Sequence, residues 1–350
     1  MSTLLIDSSF IAYSKMFNCK KESTSEEGYG MWRYYYMNDI FKYIKKFDDI
    51  TEVIIAQDAG NYWRRDIFPW YKKQRKLSRD NQEKKDKAEE HWFRWDEFYT
   101  FQNEFIECMK KYLPVKVLKV DRTEADDIIA ILVRHIKGNK YIVTSDHDYI
   151  QLLKYDNVKI FSPQHKVNNK KGNYLTSDNP KRDMFIKIMS GDKSDFIPSI
   201  NDKHTYKSEF LDFCVLEKMA DNLEFAKIKL DNDEKLLYEM YFKFSEKYNV
   251  TPTRKRTFTE KMAKHHYDEN SIKELLNEDA TIKKNFKRNN KLVNLDLQPD
   301  HIVDKVIDDY ENYKLPNVSM GFLKFCRLNK FRQFINQASE LTPYLKRMIN

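Results

Sequence analysis

Paired cysteines are missing from this chain. Its four cysteines, Cys19, Cys108, Cys214 and Cys326, stand far apart with no CxxC spacing. That excludes a zinc site built from cysteine pairs and a disulfide framework, and leaves buried thiols in a reducing compartment as the expectation. Long apolar runs are missing too. No stretch approaches the roughly 20 residues that span a bilayer. Leu4-Leu5-Ile6 is too short for the apolar region of a signal peptide, and Asp7 interrupts it. A cytoplasmic protein without a membrane anchor is expected. There is no internal repeat and no strongly biased tract. Glycine is scarce, 7 in all, beside many Lys, Asn, Ile and Tyr residues, a composition that fits an AT-rich genome.

What is present suits two domains in 350 residues. The chain is 41% hydrophobic, enough for a sizeable core, and 33% charged. Its net charge of +8 suits a polyanionic partner, although the placement of charge decides more than its sum.

Five short apolar runs, Thr3–Ile6, Glu52–Ala56, Val115–Val120, Lys140–Val143 and Val158–Phe161, read as parallel strands covered on both faces. Helical patterns lie between them, at Met31–Phe47, Trp92–Tyr112 and Glu124–Ile136. This alternation predicts an α/β fold with a doubly wound, mainly parallel sheet over residues 1–180. Residues 62–90 break the pattern and read as an insertion. Strand signals nearly vanish after residue 180, so residues 181–350 are expected to form an all-α domain. Within it, Thr251–Lys264 and Ala280–Lys291 are rich in Lys and Arg and are expected to be mobile, and Leu315-Pro316 marks a break before a last helical segment.

Acidic residues follow the strands. Asp7 ends the first, Asp58 follows the second, Glu124, Asp126 and Asp127 open a helix after the third, and Asp146 and Asp148 follow the fourth. In a parallel sheet these positions share one edge, outside the carboxyl ends of the strands. Asp192 and Asp195, in Gly191-Asp192-Lys193-Ser194-Asp195, can join from the next segment. Singly, each acid reads as a turn residue or helix cap, and Thr123-Glu124-Ala125-Asp126 resembles a capping box. Together they repel, so some must take up protons or bind cations. Oxygen ligands alone select hard cations, Mg²⁺ or Mn²⁺, and this many acids suit two ions, which can activate water and stabilise the leaving oxygen of a phosphodiester. His147, between two acids, is expected to point away on a strand-like alternation.

The insertion sets Trp63, Phe68, Trp70 and Tyr71 among Arg64, Arg65, Lys72, Lys73, Arg75 and Lys76. Cations track phosphates and aromatics stack unpaired bases. The competing reading is a charged helix whose aromatics face a core.

Glu124-Ala125-Asp126-Asp127, Thr144-Ser145-Asp146-His147-Asp148 and Gly191–Asp195 stand in the order found in the flap endonuclease and 5′-3′ exonuclease superfamily, and the core resembles a PIN-like nuclease domain. Tyr62-Trp63-Arg64-Arg65-Asp66, Tyr71–Arg75, Ser162–Lys166 and Tyr310–Pro316 extend the likeness, which is greatest to the ribonuclease H group of T-even phages. The resemblance implies a two-metal 5′-nuclease of bacteriophage type that removes RNA primers during lagging-strand replication and cuts 5′ flaps. By position, Asp7, Asp58, Glu124, Asp126, Asp146 and Asp148 hold the tighter ion, with Asp146 essential to catalysis. Asp127, Asp192 and Asp195 form or support the second site through water. The insertion corresponds to a helical arch, with Lys72 and Arg75 on the scissile phosphate and Tyr13 near the 5′ end. Partners implied are DNA and RNA–DNA duplexes with 5′ ends or flaps, and a single-stranded-DNA-binding replication protein; a monomer is expected. Asn201-Asp202-Lys203-His204 lacks the glycines of the cellular duplex-gripping hairpin, which puts a potassium site there in doubt. Two other readings compete. One is a PIN-type ribonuclease on structured RNA, disfavoured by the arch-like insertion. The other is a non-catalytic nucleic-acid binding module, disfavoured by the full acid set.

Overall fold

Six strands form one sheet in the computed structural model, which describes residues 2–47, 49–201, 206–248, 258–316 and 321–349. They are β1 (Ser2–Asp7), β2 (Ile50–Ala56), β3 (Lys116–Leu118), β4 (Asn139–Val143), β5 (Val158–Val167) and β6 (Lys170–Leu175), in the order β3-β2-β1-β4-β5-β6. β1 to β5 pair in parallel and β6 closes the edge antiparallel. β6 is the strand the sequence reading missed. It belongs to a hairpin whose turn residues Asn168 and Asn169 both take positive φ, as a two-residue turn matched to strand twist requires.

Side-chain alternation sorts the sheet residues. Leu4, Ile6, Val53, Ile55 and Val143 join one buried cluster with Trp32, Tyr36, Phe98 and Phe105 from the helices Ser25–Lys46 and Trp95–Tyr112. Leu5, Ile54 and Ile142, equally buried, take the other parity. The helix Ala125–His135 packs on β1 and β2. Each large side chain so buried stabilises the fold by about 1.5–3 kcal/mol.

Two compact units result. One comprises Met1–Trp63, Glu90–Asp183 and Leu295–Asn350; the other comprises Arg64–Glu89 and Met184–Asn294. This division differs from a single cut after residue 180. The C-terminal segment groups with the sheet because its apolar faces are spent there. The helix Asp300–Glu311 lies on β3 and on Ala125–His135, and Phe325, Phe331 and Phe334 enter the first unit's core. The insertion groups instead with the helices of the second unit.

In the second unit, Ala280–Val293 is a helix with Ile282, Asn289, Leu292 and Val293 buried, and Glu260–Asp268 is another. The expected mobility of 280–291 is therefore corrected: a buried stripe at helical spacing anchors the segment. Residues 251–257 of the other basic stretch lie outside the described residues, as do 202–205 of the segment that lacks the hairpin glycines. No helix among the described residues is long and apolar enough to cross a membrane.

Candidate active site

Three of the acids cap helices at the carboxyl edge of the sheet. Asp7 is the N-cap of Ser8–Cys19, its Oδ1 accepting from the Phe10 amide at 3.2 Å. Glu124 is the N-cap of Ala125–His135. Asp146 is the N-cap of a short 3₁₀ helix, His147–Lys154, and its Oδ1 accepts from the Asp148 amide at 2.8 Å. The reading of these acids as helix caps is correct as local structure, but the capping box lies one residue later than Thr123–Asp126, with Glu124 as N-cap and Asp127 as its partner. It also serves the site, because helix N-termini turn unpaired N–H groups and positive partial charge toward the same edge. His147 lies exposed in the first turn of this 3₁₀ helix, not on a strand.

Asp58 joins them from the loop after β2. Its Oδ1 accepts from the Ala125 amide at 2.9 Å and its Oδ2 from the Ser9 hydroxyl at 2.6 Å. Ligand oxygens of Glu124, Asp126 and Asp127 lie within 4.8 Å of one another. The electrostatics record the crowding: burial, then the carboxylates of Asp58 and Asp146, push Asp7 up to about 7 against the donors Phe10 and Tyr149. Relief of such repulsion by a hard cation is what an all-oxygen donor set invites.

Asp127 departs from the rest. It is 0% exposed. Its Oδ2 accepts from Trp63 Nε1 at 2.9 Å and, at 3.5 Å, from the Glu124 amide; its Oδ1 accepts from Gln298 Nε2 at 3.2 Å. Both oxygens are thus engaged by protein donors, and the residue braces the start of its helix. Trp63 and Gln298 carry no sequence signal that ties them to the acids, and neither does Ser9. Tyr149 stands directly after Asp148, a signal in the sequence that ties it to the acids.

Asp192 and Asp195 lie in the second unit, in a tight turn closed by the Asp192–Ile197 backbone pair. Gly191 has φ +72, and a Cβ there would meet the Ile197 carbonyl oxygen at 2.5 Å, so only glycine fits. Asp192 is buried against the Lys187 ammonium at 2.6 Å and accepts from the Ser194 amide and hydroxyl, both at 2.7 Å. Burial alone would raise its carboxyl; Lys187 and Ser194 more than offset that and hold it at about 2. Asp195 takes Arg75 Nη2 at 2.5 Å, Lys72 Nζ at 3.4 Å and the Tyr71 hydroxyl at 3.1 Å. Lys72 has φ 57, a left-handed conformation costing a non-glycine residue on the order of 1 kcal/mol. Its amide donates to the Asp195 carbonyl at 2.9 Å, which helps to hold it.

The insertion requires correction. Phe68, Trp70 and Tyr71 are buried, Trp70 stacked on Phe242 at 5.4 Å and Phe68 edge-on to Tyr238 at 5.6 Å, while Trp63 is buried on Asp127. They are core aromatics, not a stacking platform for bases. Arg64 is 1% exposed, its Nε donating to the Leu292 carbonyl at 2.9 Å, and so tracks no phosphate in this conformation. It serves as a C-terminal cap for the helix beside it. Arg65 is half-buried, donating to the Tyr71 carbonyl at 3.4 Å. Lys73 sits over Trp70 and Phe242, and burial lowers its pKa. Arg75 and Lys76 are exposed on the helix Lys73–Ala88. Tyr13 packs edge-on to Trp95 at 6.1 Å, and its hydroxyl lies 3.1 Å from that of Tyr99.

Comparison with known proteins matches residues 2–179 to the family described as 5′-3′ exonuclease, N-terminal resolvase-like domain, and residues 216–341 to the C-terminal domain of T4 RNase H. The chain is 29% identical over 316 residues to the ribonuclease H of Enterobacteria phage T4, covering 88% of this chain and 86% of that one. Among solved structures, the T5 5′-exonuclease with divalent metal ions (zinc) bound superposes with a TM-score of 0.54 at 15% identity, covering 94% of this chain and 98% of that one. The bacteriophage T5 flap endonuclease, in a pseudo-enzyme–product complex with DNA and metal ions, gives 0.52 at 16% identity, covering 88% and 97%. These two likenesses show that the fold is shared.

Proposed function

The chain belongs to the 5′-3′ exonuclease family, and from that premise we propose a metal-dependent 5′-3′ exonuclease and flap endonuclease of ribonuclease H type. Its substrates are RNA–DNA and DNA duplexes with 5′ ends or flaps, and its task is removal of RNA primers in lagging-strand replication. The observation that carries this reading is the gathering of acids at one edge: ligand oxygens of Glu124, Asp126 and Asp127 lie within 4.8 Å of one another, and burial first, then the carboxylates of Asp58 and Asp146, raise Asp7 to about 7. Such a donor set, all carboxylate and fixed by helix N-termini, fits magnesium, with manganese as a substitute.

Asp7, Asp58, Glu124, Asp126, Asp146 and Asp148 are the residues to hold the first ion. Asp192 and Asp195 are the acids offered to a second, with Asp127 as support. When bound, the ions supply a water nucleophile at neutral pH and charge for the leaving oxygen. The protein's own contribution is positioning. The N-termini of the capped helices orient the carboxylates, and Lys72 and Arg75 offer charge to the transferring phosphate once they exchange Asp195 for it. We place the protein in the host cytoplasm as a monomer, with a single-stranded-DNA-binding replication protein as partner.

Labelled 5′-flap duplex, nicked RNA–DNA hybrid and single-stranded RNA, each incubated with Mg²⁺ and with chelator, test the proposal. The first two are cut near the 5′ end in Mg²⁺ only. Cleavage confined to single-stranded RNA points to a PIN-type ribonuclease. Binding of all three without cleavage leaves a non-catalytic module.

A further inference from the structure

Tyr149 is 0% exposed, and its hydroxyl donates to Asp7 Oδ2 at 3.2 Å. A buried phenol keeps its hydroxyl only by finding a partner, since the alternative is an unpaired polar group. Here that partner is an acid of the candidate metal site. Tyr149 also stands directly after Asp148, in the 3₁₀ helix that Asp146 caps. One hydroxyl therefore ties the acid at the end of β1 to the turn that carries the two acids after β4, and these two strands are neighbours in the sheet.

We propose that Tyr149 is a positioning residue for the metal: it locks the Asp7 carboxylate plane and sets its spacing from Asp146 and Asp148. The lock has two points. Oδ1 accepts from the Phe10 amide and Oδ2 from Tyr149. A carboxylate oxygen has two acceptor sites, so each oxygen keeps one for a cation while the group cannot turn. Donors behind a ligand that fix its orientation are worth about 10–100-fold in metal affinity or activity at other metal sites. Phenylalanine at this position fills the same volume without the hydroxyl.

Tyr36 supplies the control. It is equally buried and near Asp7, but its hydroxyl pairs with Ser8 Oγ at 3.0 Å. The inference rests on the metal-nuclease reading, and the test separates the two. Mn²⁺ binding to the DNA-free protein is measured by calorimetry for wild type, Tyr149→Phe, Tyr36→Phe, Asp7→Asn and the Asp7→Asn/Tyr149→Phe double variant, with circular dichroism to verify folding. Tyr149→Phe weakens Mn²⁺ binding about tenfold or more, Tyr36→Phe leaves it unchanged, and Tyr149→Phe adds nothing in the Asp7→Asn background. In cleavage assays the Mg²⁺ concentration for half-maximal rate rises for Tyr149→Phe while the rate at saturating Mg²⁺ stays near wild type. Equal Mn²⁺ affinity for wild type and Tyr149→Phe overturns the role of Tyr149 and leaves the nuclease reading standing. A wild type that binds no Mn²⁺ overturns both. Equal weakening by Tyr36→Phe and Tyr149→Phe reduces the effect to core packing and also overturns it.

Discussion

Asp7 and Asp192 are the same residue type, the first partly and the second almost fully withdrawn from water, and their environments drive them in opposite directions. Burial and the carboxylates of Asp58 and Asp146 raise Asp7 to about 7. Burial also disfavours charge on Asp192, but the Lys187 ammonium and two donors from Ser194 hold it at about 2. Asp195, in the same turn, takes Arg75, Lys72 and Tyr71. Acids at the sheet edge thus repel one another, whereas those of the Gly191–Asp195 turn already have counter-ions supplied by the chain. The first group is built to gain from an added cation. The second must give up or share its own cations before it can hold one.

The largest expected effect tests the first half of that comparison. Replacing Asp146 by Asn removes one charge from the repelling set. Cleavage falls by about 10³-fold or more, while affinity for flap DNA measured by anisotropy in Ca²⁺ changes little. Normal cleavage by this variant in Mg²⁺ would remove Asp146 from the metal site.

A smaller effect tests the second half. Lys72→Ala slows the single-turnover rate by about 10²-fold and weakens binding much less. If Lys72 serves only to neutralise Asp195, single-turnover rates stay at the wild-type level and only the unfolding midpoint falls. The two outcomes distinguish a cation stored for the substrate from one spent on the fold.

The two groups also differed in how far the sequence revealed them. Asp7, Asp58, Glu124 and Asp146 follow runs such as Leu4-Leu5-Ile6 and Val53-Ile54-Ile55, whose apolar character marks buried strands, so strand periodicity alone places them at one edge. Asp192 and Asp195 follow no strand, so periodicity could offer them only as acids of the next segment, and the family resemblance gave them a role at a second ion. What stayed hidden depends on long-range pairing. Gln298 lies 171 residues from Asp127, and Arg134 reaches Asp296 across 162 positions, contacts that bring the C-terminal segment back onto the first unit. Composition cannot report them. The aromatic insertion misled for a physical reason: tryptophan among lysines reads alike whether the ring meets a base or Phe242. The helix Lys73–Ala88 carried no apolar face to settle it, because Leu77 is its one buried apolar residue.

The smallest effect is a difference of sign in the pH dependence of stability. In metal-free protein the folded state holds a proton on Asp7 up to about pH 7, while the unfolded chain releases it near the ordinary 3.8. The folded state binds more protons across that interval, so this group's contribution to stability falls as pH rises from about 4 to 7. Asp192 behaves oppositely. Its folded pKa of about 2 lies below 3.8, so its contribution is full above pH 4 and is lost as pH falls toward 2. Thermal unfolding in chelator from pH 2 to 8 reads both. Asp7→Asn flattens the loss between pH 4 and 7, and saturating Mg²⁺ flattens it in wild type. Lys187→Met leaves that limb unchanged and lowers the midpoint instead at neutral pH, by removing the counter-ion that keeps Asp192 ionised. A wild-type midpoint independent of pH between 4 and 7, with or without Mg²⁺, means that the acids at the sheet edge do not repel, and the contrast with the Gly191–Asp195 turn collapses.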